Sequence, residues 1–185
     1  IDVESAHPFL LSRENVETAA RLTAIDSMLG ALCCGGIASC IGVIGAAEVD
    51  VEGNVNSSFA ALVLLVGAGG APDIAACASE VMVLGRADPR RLVRQVEYVT
   101  SRGANVRTIV TEACVFERNG PAEPWLVRDV VPARAAALGP LQAGGFRFVM
   151  AGPPTSAEPA SPRELELLAR LRWSGAAKRA EVSGG

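Results

Sequence analysis

Short apolar runs alternate with glycine-rich turns through the middle of the chain, and this alternation limits the fold more than any other feature. Val43-Ile44-Gly45-Ala46-Ala47-Glu48-Val49-Asp50 is followed by Gly53-Asn54-Val55-Asn56, and then by Gly67-Ala68-Gly69-Gly70-Ala71-Pro72-Asp73. Apolar runs bounded by turn residues predict strands buried on both faces at Ile37–Ile44 and Leu62–Val66. Between them Asp50–Ser58 carries turn chemistry, because Gly and Asn tolerate left-handed backbone and Asn side chains bond back to the main chain. A short helix is expected at Ala71–Ala78 and a further buried strand at Val81–Leu84. Strands and helices interleaved in this way build α/β layers.

The flanks fill in the same architecture. From Ser12, the residues Val16, Ala19, Ala20, Leu22, Ile25, Met28, Leu29 and Leu32 recur at helical spacing, the first part of the span reading as either helix or a short strand, and Gly35-Gly36 supplies a stop. Ile1–Val3 reads as the end of a strand, and more strands are expected at Val96–Thr100, Arg107–Thr111, Cys114–Glu117, Leu126–Val130 and Phe146–Val149. The Pro-rich stretch Gly152–Pro162 is an extended connector; Ser161 then caps a last helix with Pro162 in its first turn and Leu165, Leu167, Leu168 and Leu171 along it. The expected fold is α/β, with a mixed, mainly parallel sheet flanked by helices. One domain is expected over residues 1–173, followed by a mobile Gly- and Ala-rich tail, 174–185.

Composition narrows the function. Half of the 185 residues are apolar but only 4% are aromatic, which predicts a core of Ala, Val, Leu and Ile. A net charge of −3 carries no basic footprint for nucleic acid, so small-molecule chemistry or protein association is expected. The longest apolar stretches are interrupted well short of the ~20 residues of a membrane helix, so no membrane association is expected. Cys33, Cys34, Cys40, Cys77 and Cys114 are odd in number and lack a C-x-x-C spacing, so neither a disulfide framework, a zinc site nor another metal site is predicted. The chain reads as cytoplasmic, and its opening on Ile1 rather than Met suggests that an N-terminal part is lacking.

Gly67-Ala68-Gly69-Gly70 lies between an expected strand and an expected helix, where convergent backbone N–H groups favour anions. A dinucleotide fingerprint would need glycine where Pro72 stands, and a plain tight turn is the alternative. The order of the segments adds a second argument. Ile44-Gly45-Ala46-Ala47-Glu48-Val49-Asp50, Gly53-Asn54-Val55-Asn56-Ser57-Ser58 and Gly67-Ala68-Gly69-Gly70-Ala71-Pro72-Asp73-Ile74-Ala75 together resemble the class I coenzyme A transferases, most nearly the β subunit of the glutaconate type. Val110-Thr111-Glu112-Ala113-Cys114-Val115-Phe116-Glu117, Gly145-Phe146 and the helix beginning at Pro162 are similar to later pieces of that family, so the resemblance covers most of residues 24–172. The family's longer basic segment before the glycine loop has no counterpart between Ser58 and Gly67.

The resemblance implies a CoA-transferase-like fold, a coenzyme A thioester as substrate with no permanently bound cofactor, a carboxylic acid as the other substrate, and an α-type partner subunit; the alternatives are a CoA-thioester hydrolase or decarboxylase on the same scaffold, or a non-catalytic structural subunit. It also implies a nucleophilic glutamate, which would split acyl exchange into easier steps while backbone amides hold the oxyanion. Glu4 in Val3-Glu4-Ser5-Ala6 resembles the family's Glu-Ser-Gly form, with Ala6 for glycine, and is the candidate nucleophile. Glu14-Asn15 mimics a Glu-Asn form but enters a helix, where a solvated carboxylate is the plainer reading. Gly67, Gly69, Gly70 and Ala71 are the candidate oxyanion or thioester donors, and Ser5, Ala46, Asn54 and Asn56 the candidate substrate or coenzyme A contacts. His7 could tune Glu4, Cys33 and Cys34 read as inert buried thiols, and Arg86, Arg90, Arg91 and Arg94 form the most basic patch. Glu48 stands where relatives often have Gln, and would repel an anionic substrate.

Overall fold

The structure is a computed structural model that describes residues 13–17, 19, 22–32, 40–60, 63–150, 152, 160–167 and 169. The chain divides into two compact units, one of Ile1–Ala24 with Glu158–Gly185 and one of Ile25–Ala157.

In the first unit, α1 (Arg13–Glu17) carries an exposed Arg13–Glu17 ion pair at 2.6 Å, an arrangement that stabilises little in water. Residues 162–167 are helical, and their start is a reciprocal capping box. The Glu164 N–H donates to Ser161 Oγ at 3.3 Å, while the Ser161 N–H and hydroxyl both donate to Glu164 Oε2 at 2.7 Å. Those bonds hold the Glu164 carboxyl below its ordinary pKa. Ser161 and Pro162 therefore do what the sequence predicts of them.

The span from Ser12 to Leu32 holds two short helices, its first part being helix rather than strand at Arg13–Glu17. Residues 22–24 are not helical, and α2 (Ile25–Leu32) belongs to the second unit. A helix in water persists by burying one face. Val16, Leu22 and Met28 on that supposed face are exposed.

The second unit is built on a six-stranded sheet. Its members are β1 (Ile41–Gly45), β6 (Glu80–Leu84), β8 (Val106–Val110), β9 (Cys114–Glu117), β10 (Trp125–Val130) and β11 (Phe148–Met150). They lie in that order, with β1–β6, β6–β8 and β10–β11 parallel and β8–β9 and β9–β10 antiparallel. The sheet is thus mixed and mainly parallel, as expected. α3 (Ala71–Cys77) packs on β1 and β6. Gly42 permits this, because a Cβ there would collide with Ile74 of α3.

Several strands differ from expectation. β1 buries Gly42 and Ile44 but exposes Ile41 and Val43, so it is an edge strand with one open face rather than a doubly buried one. The run Leu62–Val66 is not a core strand either. Val63–Leu64 (β5) pairs antiparallel with Phe59–Ala60 (β4) in a separate two-stranded ladder, and Val63 to Val66 are exposed. Val96–Thr100 forms bends instead of a strand: the Val96 N–H goes to the Asp50 carboxylate, and only the Thr100 N–H meets another backbone, at the Val55 carbonyl. The supposed turn region Asp50–Ser58 contains real pairing. β2 (Glu48–Asp50) lies between antiparallel β3 (Val55–Asn56) and parallel β7 (Leu92–Val93).

The core mixes aliphatic side chains with a compact aromatic group, contrary to the expectation from composition. Phe116 packs edge-on to Phe146 at 5.4 Å and lies 5.3 Å from Phe148, and Trp125 stacks on Phe146 at 6.4 Å. Rings are few but concentrated where burial stabilises most. A 3-10 turn (Pro132–Ala137) and α4 (Leu138–Ala143) connect β10 to β11, anchored by buried Leu141. Among the described residues no helix is long and apolar enough to cross a membrane.

Candidate functional site

The turn after β2 is fixed by Asp50. Its carboxylate, almost wholly buried, accepts the Glu52 and Asn54 N–H groups at 3.0 and 2.9 Å, Asn54 Nδ2 at 3.2 Å and the Val96 N–H at 3.4 Å. Gly53 completes the reversal with φ of +82°, a region that favours glycine. Asn54 Oδ1 accepts the Gly103 N–H at 3.1 Å, which ties the turn to the loop before β8. Gly103 must be small because a Cβ there would overlap the Gly53 carbonyl.

Arg118 closes this junction from below. It is 3% exposed, and its guanidinium donates to the carbonyls of Val106 (2.9 Å), Pro121 (3.2 Å), Glu52 (2.8 Å) and Gly103 (2.8 Å). It also lies over the Trp125 ring at 4.3 Å. Burial pushes its pKa down to about 10, so it stays charged at neutral pH.

Asn56 organises the next loop. Wholly buried, it donates from Nδ2 to Glu48 Oε2 at 2.7 Å and to the Phe59 carbonyl at 2.8 Å, and its Oδ1 accepts the Ser58 and Phe59 N–H groups at 3.1 Å. One oxygen of Glu48 is thereby held. Glu48 borders a cavity of about 330 Å³, together with Ala47, Leu65, Asp88, Arg90 and Arg91. Arg90 donates to Asp88 from Nη2 at 2.8 Å and from its own N–H at 2.9 Å, holding that carboxyl down at about 2. The Arg91 side chain has no hydrogen-bond or ion-pair partner among the described residues, while its carbonyl receives the Val49 N–H at 2.7 Å and so fixes the loop against β2. A cavity with one anchored carboxylate and one unpaired guanidinium suits a polar, anionic organic ligand.

The glycine loop leaves the rim of this cavity at Leu65, whose N–H donates to the Ser58 carbonyl at 2.8 Å. Gly67 and Gly69 are exposed, and Gly69 has φ of +56°. The N–H of Ala71 is given to the Ala68 carbonyl at 3.3 Å, whereas those of Gly69 and Gly70 have no partner among the described residues. The loop leads into α3, whose seven residues supply only a small dipole. Gly67, Gly69, Gly70 and Ala71 do not line the cavity, and Ala46, beside Ala47, packs against the core. Asn54 lies at the far side of its hairpin, on a different cavity. Glu4, Ser5, His7, Cys33 and Cys34 lie outside the described residues, and nothing is described of the Glu14 side chain. Cys114 is buried, with a pKa raised to about 11 by that burial, so its thiol is not a nucleophile at neutral pH.

The basic patch read from sequence is dispersed by the fold. Arg90 and Arg91 face the cavity of Glu48, while Arg94 faces the other one, beyond β7. Asp88 and Leu65 carried no sequence signal for the site. Pro89 beside Asp88 marked a turn, but not which strand the turn would meet.

Part of the chain aligns with one subunit of the 3-oxoadipate CoA-transferase of Pseudomonas knackmussii at 30% identity, taking in 50% of this chain and 43% of that protein. The solved glutaconate coenzyme A-transferase of Acidaminococcus fermentans superposes with a TM-score of 0.58 at 22% identity, over 69% of this chain and 56% of that one. The chain is thus similar in sequence, over half its length, to a subunit of a coenzyme A transferase and shares the fold of another. A variant of the decarboxylase AibA/AibB superposes with a TM-score of 0.71 at 21% identity, over 86% of this chain and 68% of that one. No protein-family model matches. The chain spans under half the length of the 3-oxoadipate transferase polypeptide and 56% of the glutaconate transferase chain. Transferase and decarboxylase share this fold, so the reaction must be argued from side chains.

Proposed function

We propose that this chain is the β-type part of a CoA transferase, moving coenzyme A between an acyl-CoA thioester and a carboxylic acid. What supports the reading most is the order of the three segments Gly45–Asp50, Gly53–Ser58 and Gly67–Ala75 in a chain related to that family. Glu4 is the proposed nucleophile. Its carboxylate attacks the thioester carbonyl, the C–S bond breaks, and a mixed anhydride forms as coenzyme A leaves as thiolate. The thiolate then attacks the glutamyl carbonyl, releasing the first carboxylic acid and leaving a glutamyl-CoA thioester. The acceptor acid reverses both steps and departs as the new acyl-CoA.

Each attack passes through a tetrahedral oxyanion, for which the N–H groups of Gly69 and Gly70 are the proposed donors, with Gly67 and Ala71 shaping the loop. Ser5, Ala46, Asn54 and Asn56 are proposed at the substrate or coenzyme A contacts, Asn56 through its hold on Glu48. Arg91 supplies the positive charge that a carboxylic acid requires, and Glu48 opposes acids with a second anionic group. An α-type subunit completes the site. The test is label exchange between acyl-CoA and free acid by the assembled enzyme. Glu4→Gln should abolish it, and undiminished exchange would remove Glu4 from the mechanism.

One observation favours a second reading. The decarboxylase AibA/AibB superposes over a larger share of this chain than the glutaconate transferase does, and Glu48 adds a carboxylate beside the cavity. Release of labelled CO₂ from an acyl-CoA bearing a free carboxylate, without exchange, would decide for decarboxylation.

A further inference from the structure

A second cavity, of about 420 Å³, opens on the far side of the β2–β3 hairpin. Three guanidinium groups line it, from Arg94 beyond β7, Arg102 beyond the Val55–Ser101 bridge and Arg147 just before β11. None of the three has a hydrogen bond or ion pair with a described residue. Two acidic residues share the walls. Asp50 turns its carboxylate inward onto three hydrogen bonds of its own turn and one from the Val96 N–H, and Glu52 accepts Asn54 Nδ2 at 3.2 Å. The local balance is therefore positive, and the negative charge is already engaged.

We propose that this cavity is a phosphate-binding subsite, in which Arg94, Arg102 and Arg147 hold a phosphate or diphosphate group. Three like charges brought to one cavity from separate segments repel one another, and no described carboxylate pairs with any of them to offset that repulsion. A phosphate would, since the planar guanidinium fork matches its oxygens with paired, charge-assisted hydrogen bonds. The wall is also built for the purpose on one side. Gly145, at φ of +94°, lets the chain pass so close to the Arg94 stem that a Cβ would sit 3.2 Å from the Arg94 Cβ. Arg94 and Arg147, which follows Gly145 by two residues, are thus brought together by that glycine. The cavity is distinct from the one bordered by Glu48, so the subsite stands whether or not the transferase reading does.

The phosphate could come from the nucleotide end of coenzyme A or from a free phosphate compound. Calorimetric titration of the full chain with adenosine 3′,5′-bisphosphate, pyrophosphate and inorganic phosphate separates these. Binding is expected for at least one probe, weakening as salt rises. In Arg102→Ala/Arg147→Ala the dissociation constant should rise by about tenfold or more, the effect of losing roughly one charge-assisted contact. The bisphosphate alone binding assigns the nucleotide end; pyrophosphate or phosphate binding at least as well assigns a free phosphate compound. No binding of any probe at millimolar concentration overturns the proposal, as does binding that the double variant leaves unchanged. If the double variant does not fold, Arg147→Gln, at an exposed position, gives the same comparison.

Discussion

Replacing Arg118 by methionine should destabilise the second unit through its backbone rather than through a lost ion pair. No carboxylate faces the guanidinium at salt-bridge distance among the described residues; it meets four carbonyls, two of them in buried contacts, at Val106 and Gly103. A buried carbonyl left without a donor costs about 1–3 kcal/mol, while the part-buried carbonyls of Glu52 and Pro121 recover water. Loss of the contact with Trp125 adds about 0.5–2 kcal/mol. Removing the charge gives something back, because burial disfavours the charged form enough to push its pKa down to about 10. The net loss expected is about 2–4 kcal/mol, a large share of the ~5–15 kcal/mol that holds a domain together. In urea unfolding of the full chain the midpoint should fall by roughly 1–2 M at an unchanged slope. Arg118→Lys sharpens the test. It keeps the buried charge but replaces a four-way fork by a point donor, so it should be no more stable than Arg118→Met. The loss should be constant between pH 6 and 9, where the guanidinium remains charged. A loss below ~1 kcal/mol in both variants would mean that the fork does not tie the Gly53 turn to β8, and the reasoning would fail.

The carboxyl of Asp88, held by Arg90 at about 2 against an ordinary 3.8, should titrate near 2 by carbon NMR and move back toward 3.8 in Arg90→Gln. Its stabilising contribution is present above pH 3.8 and lost as pH falls through about 2. Gly103→Ala should lower stability by about 1–3 kcal/mol, since the new Cβ meets backbone that cannot turn aside, whereas Gly67→Ala, with open space around it, should stay within ~0.5 kcal/mol of the parent in thermal melts.

The sheet was legible where strands alternate or sit deep in the core. Cys114–Glu117 and Val81–Leu84 fall on β9 and β6 because alternate apolar residues, Cys114 and Phe116 on one and Val81 and Val83 on the other, are buried. Leu62–Val66 misled because hydrophobicity says that a run can be buried, not that the sheet has room for it; its four described residues are exposed, and only Val63 and Leu64 pair, in a two-stranded ladder. β2, β3 and β7 were hidden by their shortness, two or three residues each, with registers set by Asp50 and Asn56 rather than by periodicity. The glycine-rich segments announced a ligand-binding chain, but Arg91, Arg102 and Arg147 come to their cavities from separate parts of the fold, which no local pattern could reveal.

That dispersal changes the meaning of Gly53-Asn54-Val55-Asn56. The two asparagines face opposite problems a few ångströms of chain apart. Asn54 binds the Asp50 turn to Gly103 and so sets one wall of the cavity that holds three guanidiniums. Asn56 binds Glu48 and the Phe59 carbonyl and so sets the charge at the rim of the other cavity. Between them Val55, fully buried, pairs with Val49 on one side and Ser101 on the other, which fixes the spacing of the two cavities. The segment therefore acts as a rigid divider. Its small and amide side chains are spent on backbone and on one carboxylate, and the charged groups that give each cavity its chemistry are delivered by loops that the divider positions.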